Sequence, residues 1–281
     1  EFTEIPIPQI GDGEILVQNQ YLSFDPTQRN WMVDRPGYLP PVGIGEVMRA
    51  GSVSEVVESK HPDFKPGELV QTTGCWQDFA VVAPGKGPMG VNKLPPGVSP
   101  EMMLSILGIT GMTAYFGLLD HGQPEEGETV LVSGAAGATG SVVGQIAKIK
   151  GCRTIGIAGG EKKCAWLTDV AKFDGAIDYK SEGVSERIGA LCPDKWDVFF
   201  DNVAGPILEA ALNHLNLYSR VVMCGGIANY NNIEPVPGPN NLMNIVTNRG
   251  RMQGFIILDY LPRAMEAIEA LIGWVSAGDI V

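Results

Sequence analysis

The pattern of apolar positions changes character about a third of the way along the chain. Up to residue 100 the apolar residues come in short, half-alternating runs: Glu14 to Leu22, Gly43-Ile44-Gly45-Glu46-Val47, and Gln77 to Val82. Alternation of this kind is the period of a strand with one buried face. Proline and glycine punctuate the runs at Arg35-Pro36-Gly37, Lys65-Pro66-Gly67 and Leu94-Pro95-Pro96-Gly97, each a turn signal. Short strands with frequent turns predict an antiparallel, barrel-like domain over residues 1–100.

Beyond Ser99 the texture differs. Residues 101–120 carry helix formers and read as a leading helical connector. Continuous apolar runs then alternate with helical patterns. Strands are expected at 129–133, 154–158, 175–178, 197–200, 220–224 and 254–258, and helices at 138–150 and 161–172. Uninterrupted apolar strands are those buried on both faces, so residues 101–281 predict a doubly wound parallel sheet.

Composition narrows the chemistry. Hydrophobic residues make up 44% and charged residues 19% of 281 positions, which excludes a disordered chain. A net charge of −12 with no basic run argues against nucleic acid and against anionic membrane as partners. No apolar run approaches the ~20 residues of a membrane span. The five cysteines have no C-x-x-C spacing, and His61, His121 and His214 are scattered. Neither a disulfide framework nor a metal site is expected. With reduced thiols and no visible export signal, a cytoplasmic location is expected.

The most informative stretch is Val130 to Gly144, where a strand enters a glycine-rich turn and a helix leaves it. Gly137 lets the backbone approach a pyrophosphate, and Gly140 permits close packing of helix on strand. The helix N-terminus then offers unpaired N–H groups to phosphate. Ala135 stands where the G-x-G-x-x-G pattern has its first glycine. The next strand should choose between NAD and NADP. It ends Ala158-Gly159-Gly160 with no acid to accept from a ribose 2′-hydroxyl, and Lys162 and Lys163 follow. That favours NADP.

Several stretches together carry a family resemblance. They are Ala135 to Lys148, Tyr21-Leu22-Ser23-Phe24-Asp25-Pro26 with Arg29, Gly108 to Tyr115, Asp201-Asn202-Val203, and Cys224 to Asn231. With these the chain resembles the zinc-independent medium-chain dehydrogenase/reductases, in the NADPH-dependent prostaglandin/leukotriene reductase branch that includes alkenal and curcumin reductases. The resemblance implies a GroES-like, partly open β-barrel joined to a Rossmann domain, with the active site in the cleft between them. It also implies more chain at both ends, so an incompletely represented chain is expected. The family is often dimeric, which implies a homodimer.

Carried over residue by residue, the resemblance assigns Gly137, Ala138, Thr139 and Gly140 to the pyrophosphate. Lys163 and Tyr179 fall to the adenosine 2′-phosphate. Asn202 falls to a polar cofactor contact, with a turn-forming asparagine as the alternative. Cys224, Gly225, Gly226, Ile227, Ala228, Asn229 and Tyr230 match the loop under the nicotinamide riboside. Phe255, Ile256 and Ile257 match a strand whose backbone fixes the carboxamide, with ordinary core packing as the alternative for their side chains. Where related zinc enzymes carry a cysteine, this chain reads Phe24-Asp25-Pro26, and it has no Gly-His-Glu.

The implied reaction is hydride addition from NADPH to the C=C bond of an enone or alkenal. Tyr230 is the candidate donor to the developing enolate oxygen, the alternatives being a riboside contact or loop packing. Thr247 stands where family members carry another tyrosine, and it reads as an ordinary helix residue. Tyr38 and Trp76 are candidate walls for an apolar substrate, or simply packed aromatics. Two other readings stay open: an NADPH quinone reductase, and a catalytically silent NADPH-binding redox sensor.

Overall fold

A computed structural model describes residues 3–34, 37–86, 90–232, 234 and 236–281. The turn expected at Arg35-Pro36 lies outside them. The chain divides into two compact units, Glu1–Gly108 and Ile109–Val281.

Unit 1 is built on an antiparallel sheet of β1 (Ile15–Leu22), β2 (Ser52–Ser59), β3 (Leu69–Thr72), β4 (Phe79–Val82) and β5 (Asn92–Lys93), in the order β4-β1-β2-β3-β5. Ile15, Val17, Val56, Val70 and Ala80 form its core. The strand expected at 43–47 is absent. There the Glu46 carboxylate accepts from the Gly43 N–H at 2.8 Å and the Glu46 N–H donates to the Gly43 carbonyl at 3.1 Å, which closes a turn. The sheet uses β2 and β3 instead. On β2 the buried positions include Ser52 and Ser54. Their hydroxyls bond each other at 2.9 Å, and Ser54 donates to Asn19 Oδ1 at 2.7 Å. A strand whose inner face is polar and satisfied lacks the apolar alternation that announces strands.

Unit 2 is a parallel sheet of β6 (Thr129–Ser133), β7 (Arg153–Ala158), β8 (Gly175–Asp178), β9 (Trp196–Asp201), β10 (Leu215–Met223) and β11 (Arg251–Gly254), in the order β11-β10-β9-β6-β7-β8. Counted from the glycine turn, this is the 3-2-1-4-5-6 order of a Rossmann sheet. The helix Ala138–Ile149 buries Val142, Val143, Ile146 and Ala147, as its 3.6-residue spacing requires. Leu131, Ile155, Ile157, Phe199 and Val221 meet on the sheet's other packed layer with Trp196 and the helix residues Ile207 and Leu208.

The sixth strand is displaced from its expected place. Arg251 to Gly254 pair with Arg220 to Met223, whereas Phe255 and Ile256 lie beyond the ladder and Ile257–Arg263 form a 3-10 turn. An edge strand needs no continuous apolar run, and Arg251-Met252-Gln253 carries one apolar residue between two polar ones, whereas the apolar run that predicts a strand comes after it. The helix expected at 161–172 ends earlier, spanning Glu161–Asp169.

Candidate dinucleotide site

The turn after β6 is shaped by contacts that only glycine tolerates. Gly134 takes a φ of 57°, so the left-handed residue stands one position before the expected Ala135. Ala135 is fully buried, with its N–H donating to the Ile157 carbonyl at 3.0 Å. A Cβ on Gly140 would stand 2.4 Å from the Gly134 carbonyl oxygen and 2.9 Å from Ala135 Cα. Only glycine lets the helix start this close to the strand end. Gly137 is the extended N-cap of that helix, and Gly137 and Ala138 are exposed. The first-turn N–H groups of Ala138, Thr139 and Gly140 have no intrahelical acceptor, which makes this end a cradle for an anion.

Beside it lies a recess of about 200 Å³ lined by Ala136, Lys162, Lys163 and Trp166. Two ammonium groups and no carboxylate line it. The strand that leads here, β7, is followed by Gly159 and Gly160, and Gly160 takes a φ of 97° before the helix Glu161–Asp169. Tyr179 covers Gly159: a Cβ there would stand 2.8 Å from the ring. The nearby acid, Asp178, is consumed locally. It accepts from the Gly160 N–H at 2.7 Å, the Lys180 N–H at 3.0 Å and the Ser181 hydroxyl at 3.0 Å. The bonds from Gly160 and then Lys180 hold its carboxyl below the usual aspartate range. Lys162 was legible in the sequence only as one of two charges after the strand end, and Trp166 was not singled out at all. Their spacing of four on one helix is the signal that joins them.

Past β9 and β10 the construction is polar. Asp201 is fully buried. Its Oδ1 accepts from the Ser133 hydroxyl at 2.6 Å, the Val203 N–H at 2.9 Å and the Ala204 N–H at 3.0 Å. Its backbone carbonyl accepts from Cys224 and Gly225 at 2.9 and 3.1 Å. One residue therefore ties together the ends of β6, β9 and β10. Sequence reading missed its role, because an Asp at a strand end looks like any turn acid. Burial outweighs these donors and pushes its carboxyl up, and Oδ2 has no partner among the described residues. Asn202 donates its side-chain amide to the Ser133 carbonyl at 2.7 Å, so part of this side chain is structural.

The loop from Cys224 to Tyr230 folds back over this point. Ile227 and Ala228 donate to the carbonyls of Asn202 and Val203 at 3.3 and 3.1 Å. The Tyr230 hydroxyl accepts from the Gly226 N–H at 3.4 Å. Burial first, then the charge of Asp201, pushes the Cys224 thiol up to about 12, which keeps it protonated and poorly nucleophilic.

The remaining expected residues are placed as follows. Phe255 is half-buried, packs its ring on His121 at 5.0 Å and near Phe200 at 6.4 Å, and follows the end of β11 at Gly254. Thr247 donates to the Met243 carbonyl of its own helix at 3.1 Å. In unit 1, Trp76 stacks on Phe24 at 5.5 Å, and the Tyr38 hydroxyl bonds the Thr27 hydroxyl at 2.7 Å. Both aromatics are about half exposed. Among the described residues no group of three His, Cys, Asp or Glu side chains is placed to hold a metal ion.

A glycine-turn sheet of this strand order beside an antiparallel unit defines a class, the two-unit nucleotide-dependent oxidoreductases. Comparison sharpens it. Residues 1–91 match the family described as the N-terminal domain of oxidoreductase, and residues 138–276 match that described as zinc-binding dehydrogenase. The putative NADP-dependent oxidoreductase YfmJ of Bacillus subtilis is 42% identical over 99% of this chain and 82% of its own length. The NADPH-dependent curcumin reductase of Escherichia coli is 42% identical over 96% of this chain and 79% of its own. A 2-alkenal reductase (NADP(+)-dependent) of Nicotiana tabacum is 36% identical over 99% and 80%. The crystal structure of CurA from Vibrio vulnificus in complex with NADPH superposes with a TM-score of 0.93 at 42% identity, covering 99% of this chain and 83% of that one. The chain belongs to the medium-chain dehydrogenase/reductase family, in the branch of these NADP-dependent reductases. No helix among the described residues is long and apolar enough to cross a membrane.

Proposed function

We propose that this chain reduces the C=C bond of α,β-unsaturated ketones or aldehydes with NADPH. The observation that carries the cofactor reading is the recess of Lys162, Lys163, Ala136 and Trp166 at an acid-free strand end. The activities named for the curcumin and 2-alkenal reductases support the substrate class.

The residues present fit the cofactor. Gly137, Ala138, Thr139 and Gly140 would take the pyrophosphate on their backbone, where a Cβ at Gly140 has no room. Lys163 and Tyr179 would hold the 2′-phosphate by charge-assisted and hydroxyl bonds. Asn202 and residues 224–229 would take the nicotinamide riboside, and the backbone of Phe255, Ile256 and Ile257 the carboxamide. When bound, NADPH supplies the hydride for the β-carbon of the substrate. Negative charge then grows on the substrate's carbonyl oxygen, and a hydrogen-bond donor aimed there lowers the barrier. We assign that donor to Tyr230. Trp76 and Tyr38 offer half-exposed aromatic faces to an apolar substrate. Five free cysteines suit a cytoplasmic location, and the family resemblance supports a homodimer.

The test is a Tyr230→Phe change followed by single-turnover hydride transfer. Loss of the donor predicts a fall of about 10- to 1000-fold with NADPH affinity nearly unchanged. An unchanged transfer rate removes Tyr230 from the chemistry. Turnover of quinones alone in the same assay would replace the substrate class, and binding without turnover would make the chain a silent NADPH-binding protein.

A further inference from the structure

The parallel sheet carries a second cavity near the end opposite the glycine turn, and the nucleotide reading leaves it unused. It measures about 370 Å³ and is lined by Gln123, Glu125, Tyr218, Arg220, Arg249 and Arg251. Three arginines thus converge in a chain of net charge −12. Arg220 and Arg251 are direct register partners on β10 and β11, and like charges side by side on a sheet are destabilising.

Only one of this pair is answered by a carboxylate. Glu128 takes both terminal nitrogens of Arg220, at 2.7 and 2.5 Å. Arg251 donates to neutral oxygens, the His121 carbonyl at 2.6 Å and the Gln123 side chain at 2.7 Å. Arg249 lies over the Tyr218 ring at 5.6 Å and donates to the Thr247 carbonyl at 3.3 Å. These bonds fix the forks in place without neutralising them. Glu125 also lines the cavity, so once Glu128 is counted with Arg220 two cations, Arg249 and Arg251, stand there against one carboxylate.

The backbone around the cavity turns sharply at three of its residues. Gln123, Tyr218 and Arg249 hold φ values of 48°, 61° and 51°, a left-handed conformation that residues with a Cβ adopt at a cost. Each has a local cause: Gln123 is the C-cap of the helical turn Gly117–Gly122, Arg249 follows the helix Met243–Thr247 with its N–H donating to the Val246 carbonyl at 3.1 Å, and Tyr218 lies in an irregularity of β10, where Leu215 pairs with Trp196 while Arg220 pairs with Val198. The helix ends and the irregularity bring these side chains to one end of the sheet.

We propose that this cavity binds a phosphate dianion, either inorganic phosphate or the phosphate of a small soluble ester. The planar guanidinium fork matches phosphate oxygens in pairs. Arg251 and Arg249 have no carboxylate partner among the described residues, and a dianion in the cavity they line answers both charges.

The test titrates inorganic phosphate and ribose 5-phosphate into the full chain by calorimetry at constant ionic strength. The proteins are the parent chain, Arg251→Gln, Arg249→Gln and Lys163→Ala, with far-UV circular dichroism to verify folding. A saturable component of binding is expected that Arg251→Gln and Arg249→Gln each weaken at least about tenfold and that persists in Lys163→Ala. Tighter binding of ribose 5-phosphate assigns the site to an ester; equal binding assigns it to the free ion. Absence of saturable binding below about 10 mM overturns the proposal. So does binding lost in Lys163→Ala and kept in both arginine variants, because it then belongs to the nucleotide recess. The Arg249 side chain is exposed and donates to a local carbonyl, that of Thr247, so Arg249→Gln keeps the test open if Arg251→Gln fails to fold.

Discussion

Around the turn after β6 the chain is closed by steric contact, whereas around the loop after β10 it is closed by hydrogen bonds. At Gly140, and again at Gly144 where a Cβ would stand 1.9 Å from the Phe173 ring, there is no space for even a methyl group. At Asp201 there is space enough for a carboxylate, and the strand ends are joined by the donors it collects. The first construction presents bare backbone N–H groups to an anion and depends on what is missing from the side chains. The second positions a loop and depends on one buried acid. The two should therefore fail differently when disturbed.

The largest effect is expected at Gly140. Gly140→Ala forces the helix away from the Gly134 carbonyl and should cost about 3 kcal/mol, seen as a lower denaturation midpoint together with weakened NADPH binding. Undiminished stability would mean that the turn has slack and that the contrast with Asp201 is wrong. Lys163→Ala leaves the turn intact and sharpens the assignment of the neighbouring recess. NADPH affinity should fall about 10- to 150-fold while NADH affinity stays put. Equal losses for both cofactors would place Lys163 outside the 2′-phosphate site.

The smallest effect, and the one most particular to the polar half, is a pH slope. Burial raises the Asp201 carboxyl in the folded chain. A group whose folded pKa exceeds its unfolded value binds more protons folded than unfolded. Its contribution is present below the unfolded value of about 4 and is lost as pH rises through the folded one. Asp201→Asn keeps the Oδ1 acceptor and removes the titration, so stability should vary less with pH above about 4 in the variant. Parallel stability–pH curves for the two proteins would show that Asp201 does not titrate in that range.

The same contrast explains what the sequence made legible. The glycine turn, its helix and five of the six parallel strands follow local rules: apolar runs for strands buried on both faces, and glycine where backbones touch. The elements that escaped are those held by polar or edge contacts. β2 hides Ser52 and Ser54 inside unit 1, so its pattern does not alternate as an apolar strand does. β11 is an edge strand of Arg251, Met252 and Gln253, and the apolar residues after it drew the expected strand three positions too far. In the site, Lys162 and Lys163 were visible as charges beside an acid-free strand end. Asp201 was not legible as the hub of the loops, because its importance lies in donors brought from three separate strands.

The central claim is hydride delivery to the β-carbon of an enone, and isotope transfer tests it most directly. Single-turnover reaction with NADPH deuterated at the transferable nicotinamide position and a simple α,β-unsaturated ketone should give the saturated ketone with one deuterium on the β-carbon, read by mass spectrometry and NMR. Deuterium at the carbinol carbon of an allylic alcohol, or no transfer to any enone, would contradict it.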